Sequence, residues 1–196
     1  MLKLVLIDGN SLLNRAFYAT KLLTTKDGTP TNAVFGFIKL LLKINSDIKP
    51  DRLIVAFDLK APTFRHKMYE QYKGTRKPMP DDLAVQVPML KSLLRSMRIA
   101  MCEKEGYEAD DIIGTLSVKF ADTHSIVITG DRDAYQLIGE NTDVYITKTG
   151  VSELNKLTLS NFKQQLGYEP RQVVDIKALM GDSSDNIPGV AGVGEK

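Results

Sequence analysis

The stretch KLVLIDGNS, residues 3–11, decides the fold, because a short apolar run ends there in an acidic residue and a turn. An apolar run of this length between turn signals is typical of a strand that is buried in a parallel sheet. Residues 53–58, LIVAFD, repeat the form, since five apolar residues again end in an Asp. In open α/β sheets ligands bind outside the carboxyl ends of the strands, so we expect Asp8 and Asp58 to lie at one shared site.

Strands and helices alternate along the rest of the chain. Further strands are predicted over residues 99–102, 125–129 and 144–147, and helices over 12–23, 32–44, 81–97, 108–120, 158–166 and 170–180. Pro88 is expected to perturb the first turns of the helix over 81–97. The alternation predicts an α/β fold with a mostly parallel central sheet and helices on both faces, as in Rossmann-like proteins.

The composition is that of an ordinary globular protein, with 196 residues of which 43% are hydrophobic and 26% charged. This length supports one substantial core and a small appendage rather than two equal domains. The single cysteine excludes an intrachain disulfide framework, and with only two histidines a Cys/His zinc site is close to excluded. No apolar run approaches the length of a signal-peptide core or a membrane span, so we expect a cytoplasmic protein without membrane contact.

The net charge of +2 conceals a strong asymmetry along the chain. Residues 1–98 contain 17 Lys and Arg against 8 Asp and Glu, a net charge of +9. Residues 99–196 contain 9 Lys and Arg against 16 Asp and Glu, a net charge of −7. This division indicates a basic surface for a polyanion combined with a cluster of carboxylates, although solvated faces can produce part of it.

Basic and aromatic side chains concentrate in residues 59–82, which also contain Pro78 and Pro80. Seven Lys, Arg and His residues are interleaved there with Phe64, Tyr69 and Tyr72. Such a composition predicts a surface segment rather than a core element. Phosphate groups attract Lys and Arg, and aromatic rings can stack on bases, so we expect this segment to contact a nucleic acid.

Acidic residues recur at strand ends and in tight clusters. They are Asp8, Asp58, Glu108, Asp110, Asp111, Asp131, Asp133, Asp182 and Asp185. Each one alone has an ordinary alternative as a helix cap, a first-turn residue or a turn residue. Carboxylates that converge on one sheet edge would repel one another, and Mg²⁺ typically uses few carboxylates per ion, so the set predicts two divalent cations. Two such ions can promote an in-line phosphoryl displacement, which makes a nucleic-acid phosphodiester the expected substrate.

Several segments, in the same order along the chain, resemble the 5′ nuclease domain of bacterial DNA polymerase I, within the flap-endonuclease-like family. They are LIDGNS (6–11), NRAF (14–17), AFD (56–58), FRH (64–66), YK (72–73), RKPMP (76–80), GYEADD (106–111), TGDRD (129–133) and GDSSDNIPGV (181–190). The resemblance covers essentially the whole chain. It implies a PIN-like nuclease core in which residues 59–82 form a mobile helical arch over the active site. We call these residues the arch segment.

The resemblance also implies roles for individual residues. The expected ligands, direct or through water, are Asp8, Asp58, Glu108 and Asp110 for a first Mg²⁺ or Mn²⁺ ion. Asp131, Asp133 and Asp185 are those expected for a second, with Asp111 and Asp182 as supporting or alternative ligands. Lys73, Arg76, Asp131 and Asp133 are the expected catalytic residues. The expected DNA contacts are Arg15, Arg65, Tyr72, Lys73, Arg76 and Lys77, with Tyr72 stacking on a terminal base. Two alternatives stay open: Arg15 as a plain surface residue, and Tyr72 as a residue that packs within the arch segment.

The last eight residues, GVAGVGEK (189–196), resemble the hairpin of a helix-hairpin-helix element. Gly189, Gly192 and Gly194 would let backbone N–H groups approach a phosphate of duplex DNA, and a K⁺ ion is a further expectation there. A dinucleotide fingerprint has a different glycine order and follows a first strand, so it is rejected. We therefore expect a catalytic core over 1–180 and the beginning of a truncated DNA-binding subdomain over 181–196.

The sequence thus predicts a 5′ to 3′ exonuclease and 5′-flap endonuclease that acts in replication and repair as part of DNA polymerase I. Its expected substrates are DNA with a 5′ flap, a nick or a 5′ end, and RNA-primed DNA, and the expected state is a monomer. Two alternatives are a stand-alone flap endonuclease and a module that binds branched DNA without cutting it. A small-molecule phosphatase would need an Asp-x-Asp motif after the first strand, and residue 10 is Asn.

Overall fold

The computed structural model describes residues 1–120, 122–147 and 153–194. Its central sheet has the strand order β3-β2-β1-β4-β5-β6. The strands are β1 (Lys3–Asp8), β2 (Arg52–Ala56), β3 (Ala100–Cys102), β4 (His124–Thr129), β5 (Thr142–Thr147) and β6 (Leu154–Leu157). The first five strands pair in parallel, and β6 is antiparallel to β5. The mostly parallel sheet is confirmed, while β6 is an addition to the predicted strands.

The strand order reverses at the centre of the sheet. From β1 the chain builds β2 and β3 on one side and then returns to build β4 and β5 on the other side. In doubly wound sheets the ligand crevice lies at this reversal, outside the carboxyl ends of the strands. The topology therefore directs the search for a site to the ends of β1 and β4.

Eight α-helices occur in the described residues. They are α1 (Gly9–Ala19), α2 (Asn32–Ile48), α3 (Phe64–Met68), α4 (Asp81–Ala84), α5 (Gln86–Ser96), α6 (Ala109–Lys119), α7 (Phe162–Leu166) and α8 (Val173–Met180), with 3₁₀ turns at Arg132–Leu137 and Pro170–Gln172. None of the helices in this described part is long and apolar enough to span a membrane.

Several predicted helix boundaries are wrong. The first two helices end at Ala19 and Ile48 rather than at residues 23 and 44, and α7 begins at Phe162 rather than at residue 158. The first helix begins at Gly9 rather than at residue 12, because the side chain of Asp8 caps it by accepting a hydrogen bond from the backbone N–H of Ser11. The helix predicted over 81–97 is divided at Val85, and Pro88 lies in the first turn of α5, where a missing N–H is tolerated. The helix predicted over 170–180 begins as a 3₁₀ turn.

Alternate residues of β1 pack into two separate hydrophobic clusters. Val5 and Ile7 belong to the cluster that α1, α2 and α5 cover. Leu4 and Leu6 belong to the cluster on the opposite face, which includes residues of α6 and α8. All four side chains are almost completely buried. Because successive side chains of a strand point to opposite faces, this division confirms that helices cover both faces of the sheet.

Candidate metal and nucleic-acid site

The carboxyl ends of β1, β2 and β4 open into a cleft of about 1080 Å³. Eight of the nine predicted carboxylates line it: Asp8, Asp58, Glu108, Asp110, Asp131, Asp133, Asp182 and Asp185. The predicted basic and aromatic residues Arg15, Arg65, Tyr72, Lys73, Arg76 and Lys77 line the same cleft. The fold thus brings an acidic centre and the arch segment to one concave surface.

Asp8 is buried at the end of β1. One of its carboxylate oxygens accepts a hydrogen bond from the backbone N–H of Ser11 at 2.9 Å, and the other accepts one from the Thr129 hydroxyl at 2.8 Å. Burial outweighs these hydrogen bonds and, with the negative charges of Asp58 and Asp131, raises the pKa of Asp8 to about 6. The end of β1 therefore carries a carboxylate whose charge is costly without a cation.

Asp110 lies in the first turn of α6 and faces the other carboxylates of the cleft. Burial is the main cause that raises its pKa to about 8, followed by the charges of Asp8, Asp131, Asp58 and Glu108. Carboxylates that repel one another in this way attract a hard cation, and oxygen atoms are the donors that Mg²⁺ prefers. The chemistry of this set fits a divalent metal ion.

The positions of Asp58 and Asp131 depend on neutral donors of neighbouring elements. Asp58 accepts a hydrogen bond at 2.7 Å from the backbone N–H of Ala109, at the N-terminus of α6, where the helix dipole favours a negative charge. The N–H of Asp58 donates to the side-chain oxygen of Asn10 at 3.2 Å. Asp131 accepts from the N–H of Asp133 at 2.9 Å. Asn10, at the position that excluded a phosphatase motif, helps to position this strand end.

The side chains of the described residues form no group of three or more His, Cys, Asp or Glu that could hold one ion directly. Mg²⁺ commonly keeps several water ligands and binds through one or two carboxylates, so such a group is not required for it. The arrangement therefore fits ions that contact part of the carboxylates directly and part of them through water.

Several carboxylates of the cleft are paired with the arch segment. Lys73 donates to Glu108 at 2.8 Å, and Arg76 forms an ion pair with Asp185. The Tyr72 hydroxyl lies 3.0 Å from both Glu108 and Asp185. The chain itself thus balances part of the negative charge that the sequence assigned to metal ions alone.

Tyr72 differs from its predicted environment. Its side chain is only 5% exposed and packs edge-on against the ring of His66, with the ring centroids 5.1 Å apart. Burial, followed by the charges of Glu108 and Asp185, raises its pKa. The ring is therefore not open for stacking on a base in this arrangement, and packing within the arch segment is the alternative that the structure supports. The prediction that no part of this segment enters the core is wrong at Tyr72 and at the buried Thr63.

Arg65 and Asp111 form a pair that the sequence analysis did not foresee. Two guanidinium nitrogens of Arg65 donate to the two carboxylate oxygens of Asp111, each at 2.8 Å. Asp111 also accepts from the backbone N–H of Glu108 at 2.9 Å. Burial opposes ionisation of Asp111, but the hydrogen bonds from Arg65 and Glu108 outweigh it and lower the pKa. The pair anchors α3 to α6, and the predicted roles of Asp111 as a supporting ligand and of Arg65 as a DNA contact stay predictions.

Lys177 of α8 is a site residue that the sequence analysis missed. Its ammonium group forms ion pairs with Asp133 and, at 2.6 Å, with Asp182. Burial opposes ionisation of Asp182, but hydrogen bonds from Lys177 and Ser184 lower its pKa to about 2. The sequence carries no local signal for this pair, because side chains that face each other on a helix are three or four residues apart and Asp182 lies beyond the end of α8.

The loop after α8 depends on two glycines in close contact. A Cβ atom on Gly181, whose φ is +74°, would lie 2.4 Å from the backbone nitrogen of Gly189. A Cβ atom on Gly189 would lie 2.1 Å from the carbonyl oxygen of Met180. Gly189 is therefore required for chain packing, and its predicted contact with a phosphate stays a prediction. Asp182 and Asp185 owe their positions to this fold-back.

The remaining predicted DNA contacts are less constrained. Gly192, with φ +85°, and Gly194 have open space where a side chain would stand, and residues 195–196 of the predicted hairpin lie outside the described residues. Arg15 approaches Gly130 closely enough that a Cβ atom there would lie 3.3 Å from its guanidinium group. Lys77 lines the cleft.

Comparison with protein families gives two matches along the chain. Residues 3–167 match the family described as 5′-3′ exonuclease, N-terminal resolvase-like domain, and residues 168–196 match 5′-3′ exonuclease, C-terminal SAM fold. DNA polymerase I of Caldicellulosiruptor bescii is 48% identical over 199 residues, which cover 100% of this chain and 23% of that protein. DNA polymerase I of Bacillus subtilis is 48% identical over 197 residues, which cover 99% of this chain and 22% of that protein. The chain thus spans less than a quarter of the length of these relatives.

Solved structures show the same fold at low sequence identity. The bacteriophage T5 D15 flap endonuclease, in a pseudo-enzyme-product complex with DNA and metal ions, superposes with a TM-score of 0.78 at 21% identity, covering 98% of this chain and 71% of that chain. Human GEN1 in complex with Holliday junction DNA has a TM-score of 0.62 at 17% identity, covering 97% of this chain and 46% of that chain.

Proposed function

Because this chain belongs to the 5′-3′ exonuclease family, we propose that it hydrolyses phosphodiester bonds at the 5′ ends of DNA and RNA-primed DNA and cuts 5′ flaps. The observation that carries the proposal is the cleft at the strand ends, where carboxylates that repel one another lie beside the cationic arch segment. We further propose that the chain is a monomeric, cytoplasmic nuclease unit and that it forms the N-terminal part of a DNA polymerase I.

The proposed cofactor is a pair of Mg²⁺ or Mn²⁺ ions. Asp8, Asp58, Glu108 and Asp110 would hold one ion, and Asp131, Asp133 and Asp185 the other. Bound divalent cations would activate the attacking water and stabilise the attacking and leaving oxygens of an in-line displacement at phosphorus. Asp182, which binds Lys177 and Ser184, would position the second group rather than act as a ligand of its own.

The arch segment supplies the residues that would receive the phosphate. Lys73 and Arg76 hold carboxylates in this structure, and a phosphate entering the cleft offers the same charge-assisted hydrogen bonds. Exchange of partners would place both cations on the scissile phosphate. Arg15 and Lys77, on the walls of the cleft, are proposed to hold the neighbouring backbone.

Duplex DNA is proposed to lie against the loop that follows α8. Gly192 and Gly194 have room for a close approach of backbone N–H groups to a phosphate, and a K⁺ ion is proposed at the same hairpin. Contacts of this kind follow the backbone and read no sequence, so we expect little sequence specificity.

A module that binds branched DNA without cutting it is the competing function. Such a binder would gain affinity by losing the carboxylates, because they repel phosphates and, as the raised pKa of Asp110 indicates, one another. A stand-alone flap endonuclease would catalyse the same reaction and differs from the first proposal only because it would not be part of a DNA polymerase I.

Cleavage of a 5′-labelled flap duplex tests the proposal. The 196-residue chain is incubated with the duplex in Mg²⁺ and in chelator, and the products are sized. We expect short labelled products and released flaps in Mg²⁺ alone. Intact substrate in both, together with retained binding, would favour the non-cleaving module.

A further inference from the structure

Lys177 lies on α8, apart from the arch segment that carries most of the other cations of the cleft. It lies in the last turn of α8, and its ammonium group bridges Asp133, which follows β4, and Asp182, which follows α8. Its neighbours Val173, Val174 and Ala178 line the same wall of the cleft. The bridge therefore joins two chain segments that are far apart in sequence.

We propose that Lys177 is a positioning residue that holds Asp133 and Asp182 together in the metal-free protein and must leave before the second divalent cation binds. The inference rests on the proposed function. It means that the two halves of the site load in order, the half around Asp8 and Asp110 before the half around Asp133.

The hydrogen-bond donors of the two halves support this order. In the first half, the donors to Asp8 are a backbone N–H and a hydroxyl, and the donor to Asp58 is a backbone N–H, all of which are neutral. The cationic contacts of this half, from Lys73 and Arg65, are made at Glu108. In the second half, the ammonium group of Lys177 contacts two carboxylates directly. A cation that enters among Asp8, Asp58 and Asp110 relieves the repulsion between these carboxylates. A cation that binds Asp133 must instead displace the ammonium group of Lys177 from it.

The conformation of the loop after α8 holds the carboxylate of Asp182 in a fixed position beside Lys177. Asp182 accepts hydrogen bonds from the backbone N–H and the hydroxyl of Ser184, at 2.8 and 2.6 Å. The fold-back at Gly181 fixes the distance between Asp182 and α8, because Gly181 donates its N–H to the carbonyl oxygen of Lys177 at 2.8 Å. Lysine has a long flexible side chain with three rotatable donors, so it can leave by rotation without a change in α8.

Mn²⁺ titration of the complete 196-residue chain, by calorimetry and electron paramagnetic resonance, tests the order. We compare the wild type with Lys177→Met, Lys177→Arg and the control Lys163→Met. Lys163, on α7, forms a similar ion pair with Glu169 at 2.9 Å but does not line the cleft. In the wild type we expect a tight and a weak class of Mn²⁺ site. Lys177→Met should tighten the weak class about tenfold, because one competing charge is removed.

The other variants test whether the positive charge at residue 177 causes this result. Lys177→Arg keeps the charge and should keep the weak class weak, and Lys163→Met should change neither class. Unchanged classes in Lys177→Met, or loss of its weak class, would overturn the inference while leaving the proposed function intact. No Mn²⁺ binding by the wild type would overturn the proposed function and the inference together.

Lysine labelling of the wild type gives a second readout that does not depend on the folding of a variant. The chain is treated with an amine-reactive acetylating reagent at increasing Mn²⁺, and each lysine is followed by mass spectrometry. We expect Lys177 to lose its protection over the Mn²⁺ range that fills the weak class, with Lys163 unchanged. Protection of Lys177 that persists when both classes are filled would contradict the displacement.

Discussion

The hydroxyl group of Tyr72 lies 3.0 Å from the carboxylate of Glu108, so the arch segment is fastened to the N-terminus of α6 inside the cleft. The same hydroxyl lies 3.0 Å from Asp185, and a hydroxyl has one proton to donate. Tyr72 therefore holds one carboxylate at a time, while Lys73 and Arg76 supply the ion pairs on either side. The contact holds the arch segment over carboxylates that are proposed to bind a metal ion and beside cations that are proposed to bind a phosphate.

Tyr72→Phe should release the arch segment in part. The ring still fills its buried place, but the hydrogen bond to a carboxylate, worth about 2 kcal/mol, is lost. We expect trypsin to cut after Lys73 and Arg76 about thirtyfold faster in the metal-free variant. Tyr69→Phe, in the same segment, is the control because the hydroxyl of Tyr69 makes only a long contact of 3.4 Å with Gln71. Equal cutting rates in all three proteins would contradict the proposal that the hydroxyl of Tyr72 holds the arch segment in place.

Asp110→Asn should stabilise the metal-free protein at alkaline pH. The pKa of Asp110 is about 8 in the folded protein and 3.8 in the free side chain. Its contribution to the free energy of unfolding is therefore fully present below pH 4 and is lost as the pH rises through 8. Urea unfolding in chelator should show a gain of a few kcal/mol for the variant at pH 8.5 and little difference at pH 4.5. The exposed Asp122→Asn is the control. A gain that is equal at both pH values would contradict the burial of a shared negative charge.

Lys73→Ala and Arg76→Ala should separate cleavage from binding. Both cations are expected on the scissile phosphate, so their loss should lower the single-turnover rate about a hundredfold or more while duplex affinity falls much less. Lys67→Ala, an exposed residue of α3, controls for the loss of one positive charge from the arch segment. Equal losses of rate and affinity would make Lys73 and Arg76 ordinary phosphate anchors.

Gly181→Ala should unfold the loop that carries Asp182. The substitution combines a positive φ with a Cβ atom 2.4 Å from the backbone of Gly189. Gly28→Ala is the matched control, because Gly28 has φ +87° but nothing within 4 Å of the added atom. In urea unfolding we expect Gly28→Ala to cost about 1 kcal/mol and Gly181→Ala clearly more. Equal costs would show that the close contact with Gly189 is unimportant.

The sequence predicts the features that depend on local pattern. The apolar runs before Asp8 and Asp58 predict two buried strands with carboxylates at their ends. The end of such a run is visible in the sequence itself, without knowledge of the strands that pair with it. The four polar and apolar residues of β6, LNKL, carry no such pattern and pair only at the edge of the sheet. This strand was therefore not predicted.

Pairing between distant residues could not be predicted in the same way. Arg65 and Asp111 are 46 residues apart, and each had a plausible separate role until the fold brought them together. Gly189 belongs to a glycine-rich stretch that resembles a DNA-binding hairpin, yet its contact with Gly181 depends on a loop conformation that no spacing expresses. The sequence therefore does not predict the role of charged residues whose partners are distant along the chain.

The most direct test of the central claim, that the carboxylate cleft performs metal-dependent cleavage, is single-turnover hydrolysis of a 5′-flap duplex by Asp131→Asn/Asp133→Asn. Binding of the same duplex is measured in parallel in Ca²⁺, and Asp51→Asn, at the opposite end of the sheet, is the control. We predict that cleavage falls about a thousandfold or more while binding is retained. Cleavage at the wild-type rate in Mg²⁺ would contradict the account.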